Sequence, residues 1–472
     1  MIFVLLGYFA VLLLLSRWVG GGGNDAFFRG NRQSPWMLVA FGMVGASISG
    51  LTFVGVPGWV MSIDMTYMQM CLGFVFGYLL VAFVLLPIYY RLGLTSIYTY
   101  LDRRFGRRSY RTGAWFFLLS KLLGASAKFY VVVQVLQVCV ADAYGVPYGV
   151  TAAVTLVFIW LYTRRSGIRA LVWTDVLQTF VLLAALLLIM LKVCALLHFG
   201  FLEALQAVWN DSHSRMFEFG DFASKQNFWK QFFSGVFVVV VMTGLDQDMM
   251  QKNLTCKNLR AAQKDMCSYG LLFVPVNFLF LSLGVLLLML YEQIGMDLPE
   301  SGDSLLSNLV CGGVLGEASL VFFTVGVVAS AFSSADSSLT ALTTCYCVDI
   351  VGDSGCSARR RKGVHFGMML AFLCCTLVFQ ALGSSSVMDL IYTLVGYTYG
   401  PLLGLFAFGI FTKRQPQERF VPFVAVASPV VCGVLDYVTS AATGYEFGYE
   451  LLMLNGLLTF AGLWVISKSP AS

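Results

Sequence analysis

Five serines and one aspartate inside a single apolar run carry the most concentrated oxygen chemistry of this chain. In the stretch from Val328 to Thr340, Ser330, Ser333, Ser334, Ser337 and Ser338 recur at i, i+3, i+4, i+7 and i+8. On a helix all five hydroxyls share one face. Asp336 projects from the flank of that face, within one turn of Ser333 and Thr340. The surrounding run, from about Leu315 to Ile350, is long enough to cross a bilayer. A carboxylate at bilayer depth costs about 2.5–3.5 kcal/mol on insertion scales and needs a compensating partner. No Lys or Arg lies nearby on this helix, and clustered hydroxyl and carboxylate oxygens without a basic partner suit a small hard cation. The plainer reading is that the serines let helices pack closely and bond across helices. It accounts for some of the hydroxyls but not for Asp336.

Asp175 is the second acid set inside an apolar run. It follows Thr174, is followed by Gln178, and is the natural companion of Asp336; the alternative is an interfacial carboxylate facing cytoplasmic water. Lys121 and Lys128 lie seven residues apart and so on one helix face. They pair with a carboxylate, reach the inner surface, or receive an anionic substrate, and the spacing does not rank these. Lys192, near a helix end, can snorkel to the surface.

The segment from Phe41 to Gly58 packs Gly42, Gly45, Gly50, Gly55, Pro57 and Gly58 into one span. Such a run is either a kinked helix or a broken one, whose freed carbonyls coordinate Na⁺ and whose half-helix N-terminus faces a substrate. The stretch from Met242 to Lys252, with Asp246, Gln247, Asp248 and Gln251, reads as a helix exit followed by an amphipathic inner loop.

The elements that must position these residues are membrane helices. The chain is 58% hydrophobic and 12% charged, which excludes an ordinary soluble domain. About thirteen apolar segments can be drawn, near 2–18, 36–61, 66–89, 113–140, 147–162, 170–198, 230–245, 268–291, 315–350, 364–382, 387–411, 420–440 and 449–466. The first lacks a basic start and a small-residue cleavage site, so it counts as a helix and not a signal peptide. With the N-terminus outside, 24 of the 30 Lys and Arg fall in inner loops, and Arg215, Lys225 and Lys230 in outer ones. That asymmetry sets an N-out, C-in topology and makes nucleic acid unnecessary as an explanation of the +5 net charge.

The outer loops near 199–229 and 292–314 are too short to be separate enzymatic domains. Twelve scattered cysteines read as small buried hydrophobes rather than disulfides or metal ligands. His198, His213 and His365, the three histidines, fall at helix ends or in loops. With no nucleophile motif or phosphate loop, a membrane enzyme has little to build on, and no protein partner is indicated.

Four stretches in order resemble the sodium:solute symporter family: Ser49-Gly50-Leu51-Thr52-Phe53-Val54-Gly55-Val56-Pro57-Gly58, Trp173-Thr174-Asp175 with Gln178, Asp246-Gln247 with Gln251, and Ser333-Ser334-Ala335-Asp336-Ser337. The resemblance runs over nearly the whole chain and includes a similarity to the sialic acid and sugar-type members. It implies an all-α, leucine-transporter-like fold of two inverted five-helix repeats over 36–198 and 230–412. An N-terminal helix and loop over 1–35, an outer loop over 199–229 and two accessory helices over 413–472 complete it.

Carried over, the family's shared Na⁺ site uses the carbonyls of Gly45, Ile48 and Ser330 and the hydroxyls of Ser333 and Ser334. A further Na⁺ site found in some members would use Asp175, Ser333, Asp336 and Ser337. Substrate would lie near Ser49, Thr52, Phe53, Tyr67 and Gln69, with Lys121 close to a basic position of the sialic-acid type. Ser47 stands where proline-type members carry an acid and the galactose type an Asn, so neither substrate transfers. The resemblance implies Na⁺-coupled import of a small organic solute (a sugar, a sugar acid or another organic anion) across the inner membrane. An amino-acid or monocarboxylate symporter and a transporter-like solute sensor are the alternatives.

Overall fold

A computed structural model of the chain describes residues 2–19, 24–222, 224–352, 357–382, 387–445 and 447–468. Among them eight helices are long and apolar enough to cross a membrane, two further pairs are helices bent at a short break, and three apolar helices are shorter. These thirteen units follow the segments drawn from hydropathy, because runs of that length can satisfy their backbone in lipid only as helices.

Two departures from continuous helix organise the centre. The first broken helix consists of Trp36–Ser47 and Gly50–Ile63, bent by 56°. The break falls at Ile48 and Ser49, well before Pro57, which the second half absorbs without interruption. Gly50 is required there by close approach. A Cβ on it would lie 2.6 Å from a Val132 methyl and 3.1 Å from the Ser330 hydroxyl.

The second broken helix consists of Phe228–Gly244 and Gln247–Asn253, bent by 70°. This corrects the expectation of an amphipathic inner loop. Asp246 to Lys252 are buried, so the polar residues that suggest a water-facing surface face protein. Its N-cap is Asp246, whose side chain accepts from the Asp248 and Met249 amides at 2.8 and 3.4 Å. The carboxylate thereby takes up donors that a half-helix beginning inside the protein leaves open.

Around the two breaks pack the lysine-bearing helix Arg107–Leu136, the helix Gly167–Leu196 that carries Asp175, and the serine helix Gly316–Cys345. Gly167, at φ 53°, separates Gly167–Leu196 from the helix before it. That backbone conformation is open to glycine at little cost, and a Cβ there would run into Phe27.

The cysteines need a correction. Cys139 and Cys311 form a disulfide across 172 residues, with Cα atoms 5.7 Å apart. Their spacing in the sequence holds no sign of it, because the two ends meet only when the helices pack. Cys71, Cys256, Cys345 and Cys432 are buried and free, as small hydrophobes should be.

Candidate functional site

The first break releases particular carbonyls. In a continuous helix the Ser49 amide would bond to the Gly45 carbonyl; here it bonds to Ser47 at 3.0 Å. The Phe53 amide takes the Ser49 carbonyl at 3.1 Å, and among the described residues no backbone N–H takes that of Ile48. Of the four carbonyls that lose their helical donors at the break, Ala46 and Ser47 find other donors, and among the described residues Gly45 and Ile48, the two expected to hold Na⁺, are left without a backbone N–H. Across from them the Ser334 hydroxyl donates to the Ala46 carbonyl at 3.2 Å, and Ser330 lies against Gly50. The serine helix therefore meets the break face to face, and neutral oxygens dominate the contact.

One turn further along, the surroundings become ionic. The Ser333 hydroxyl donates to Asp175 Oδ1 at 2.7 Å. Asp336 accepts from the Tyr162 hydroxyl at 2.6 Å and from Ser337 at 3.2 Å. The four residues of the expected second site are therefore near one another. A fifth, not foreseen, joins them: Lys252 Nζ lies 2.8 Å from Asp175 Oδ2, with both side chains 1% exposed. The basic partner missing from the serine helix arrives from the second broken helix.

On the other side of the breaks is a cavity of about 140 Å³. Ser49, Thr52, Tyr67, Lys121 and Lys128 line it as expected. Phe53 does not: it is fully buried against Phe280 and Phe323, at centroid distances of 5.3 and 5.8 Å. Gln69 also lies elsewhere. It donates to the Gln226 carbonyl and accepts from the Glu218 amide, both at 2.9 Å, which pins the loop before the second broken helix to the helix bundle.

Sequence reasoning missed Asp246, Asp248, Tyr269 and Tyr399, which also line the cavity. Lys121 contacts Asp246 at 3.0 Å and Asp248 at 2.8 Å, and the Tyr399 hydroxyl donates to Asp246 at 2.7 Å. Tyr269 bonds to Ser47 and accepts from the Tyr78 hydroxyl at 2.7 Å. Lys121 is therefore committed to two carboxylates, whereas Lys128 has no carboxylate at ion-pair distance among the described residues. The one available signal was the pairing of Asp246 and Asp248 at a helix end. The apolar run breaking off at Gly244 hid it.

The second half of the second broken helix is anchored by its motif residues. Gln247 accepts from the Ile97 amide at 2.9 Å and donates to the Thr95 carbonyl at 3.0 Å. Gln251 donates to the Phe28 carbonyl at 2.8 Å. Tyr98, in the connecting loop, donates to the Leu245 carbonyl at 2.7 Å. Burial first, and then the nearby Asp246 carboxylate, hold its phenol well above the ordinary value, so it stays a donor.

The model of the family described as "Sodium:solute symporter family" matches residues 27–418. The chain belongs to that family. It is 27% identical over 431 residues to the human sodium/iodide cotransporter, covering 86% of this chain and 65% of that protein. To the sodium/sialic acid symporter SiaT of Proteus mirabilis it is 25% identical over 458 residues, covering 90% and 87%.

Among solved structures, a substrate-bound, outward-open Na⁺-coupled sialic acid symporter superposes with a TM-score of 0.83 at 20% identity, over 99% of this chain and 98% of that one. The nucleobase-cation-symport-1 family transporter Mhp1 superposes with a TM-score of 0.56 at 15% identity, over 93% of each chain. These likenesses establish the leucine-transporter-like fold. This chain is a multi-pass member of a Na⁺-coupled transporter family, and the relatives named here are transporters rather than enzymes.

Proposed function

We propose that this chain imports a small organic anion together with Na⁺ by alternating access across the inner membrane. The observation that carries the charge of the solute is Lys128, a cavity ammonium with no carboxylate at ion-pair distance among the described residues, while Lys121 is neutralised by two. An ammonium held in a largely apolar cavity calls for an anion. The iodide and sialic acid named for the relatives are anions too. Ser49, Thr52 and Tyr67 would meet the remainder of the solute.

Na⁺ would be held by the carbonyls of Gly45, Ile48 and Ser330 and the hydroxyls of Ser333 and Ser334. Such a bridge ties the first broken helix to the serine helix and favours the outward-open state. The two inverted repeats would span 36–198 and 230–412, each opening with its broken helix. An N-out, C-in orientation puts Cys139 and Cys311 on the outer side, which suits a disulfide.

The test is solute uptake into proteoliposomes under an inward Na⁺ gradient, guided by a thermal-shift screen of sugars, sugar acids, carboxylates and amino acids with and without Na⁺. Accumulation of an anion that needs Na⁺ supports the reading. Uptake only of neutral solutes overturns the assignment of Lys128, and binding without counterflow makes the chain a sensor.

A further inference from the structure

Lys252 changes what the second acid cluster can do. Its ammonium sits 2.8 Å from Asp175 Oδ2, and the pair is sealed from solvent. The other Asp175 oxygen accepts from Ser333. Both oxygens of Asp336 accept hydroxyl protons, one from Tyr162 and one from Ser337. Three of the four carboxylate oxygens of the cluster thus accept from a protein hydroxyl, and the fourth, Asp175 Oδ2, lies against a full positive charge.

Lys252 also lies one helical turn from Asp248, and Asp248 and Asp336 both act on its charge. An ammonium resembles Na⁺ in charge and in its need for oxygen neighbours, and it brings three donors on a flexible stem. A Na⁺ entering beside it would have to compete with the ammonium for Asp175 in a dry site, where the repulsion between the two cations is little screened.

We propose that Lys252 is a tethered cation standing at the second cation position, so that this chain couples its solute to a single Na⁺. The charge belongs to the second half of the second broken helix and moves with it. It neutralises Asp175 throughout the cycle without being carried across. The proposal rests on the Na⁺-symport reading above and deepens it by fixing the ion count.

The experiment counts bound ²²Na⁺ on the purified full chain and, in parallel, follows the Na⁺ dependence of solute uptake. The wild type should bind one ion per chain and show a Hill coefficient of about one. Lys252→Met keeps the volume and removes the charge, leaving Asp175 to recruit an ion. It should bind a second Na⁺, with the Hill coefficient rising towards about two. Combining it with Asp175→Asn should return the count to one.

Two ions bound by the wild type overturn the proposal, and that measurement needs no variant to fold. A Lys252→Met protein that still binds one ion overturns it as well. Absence of any Na⁺ binding or Na⁺ dependence in the wild type brings down the symport reading itself, an outcome distinct from a wrong ion count.

Discussion

The two broken helices occupy corresponding places in the chain and solve the same problem by opposite means. Each interruption must dispose of backbone groups that a continuous helix would have paired. At Ile48 and Ser49 the first break leaves the Gly45 and Ile48 carbonyls without a backbone donor among the described residues, and the serine helix meets it with neutral hydroxyls, Ser334 donating to the Ala46 carbonyl. No side chain caps its second half. At the second break Asp246 caps the following half-helix and then gathers Lys121 and Tyr399, while Asp248 and Lys252 extend the ionic network on either side. One break is left electrically incomplete, which suits a mobile ion. The other is completed by the protein's own charges.

The largest effect should come from stripping the second break. Asp246→Ala removes a cap, a partner of Lys121 and the acceptor of Tyr399 at once. Breaking a buried ion pair costs about 3–5 kcal/mol, so the unfolding midpoint should fall steeply and uptake should vanish. At the first break Ser49→Ala removes no cap bond and should cost less than about 1 kcal/mol. Equal losses in the two variants would erase the contrast between a charged and an uncharged break.

The two lysines of one helix face sharpen the comparison further. Lys121→Ala leaves Asp246 and Asp248 without their ammonium and should lower stability by about 3 kcal/mol or more. Lys128→Ala breaks no ion pair; it should leave the unfolding midpoint within a few degrees while raising the KM for an anionic solute about tenfold, or ~1.4 kcal/mol. A matched loss of stability in both would place Lys128 in the structural network and out of solute recognition.

At the first break the expected change is smaller and specific to the ion. Ser334→Ala should raise the Na⁺ concentration for half-maximal uptake about tenfold, equivalent to ~1.4 kcal/mol, with little change in the unfolding midpoint without Na⁺. An unchanged Na⁺ response would show that the hydroxyl serves the Ala46 carbonyl alone.

The least disruptive test concerns the inversion itself. The first break's second half should end on the outer side and the second break's on the inner side. Cysteines at the exposed positions Lys225 and Arg359 should leave transport intact and react with an impermeant maleimide from opposite sides. Labelling from one side would dismantle the inverted arrangement.

Much of this architecture was legible because lipid narrows the choices. Apolar runs of bilayer length have to be helices, and the five-serine face of Ser330 to Ser338 follows from a period of 3.6 residues. The first break was legible too, since Gly45 and Gly50 crowd one span, although Pro57 suggested a later position than the backbone takes. The second break was not. The run Gln247-Asp-Met-Met-Gln-Lys252 has the composition of a water-facing loop, and only burial against Thr95, Ile97 and Phe28 reveals it as the second half of a broken helix.

By itself the sequence determined the fold class and the family, because those depend on local periodicity and on motifs that keep their spacing along one helix. The tertiary structure decided which charges neutralise which. Lys252 is 77 residues from Asp175, and Lys121 is 125 residues from Asp246. Whether an acid in the membrane waits for an ion or already has its cation depends on contacts a few ångströms long between helices distant in the chain. At that range electrostatic energy changes steeply with distance and local polarisability, and no one-dimensional pattern records either.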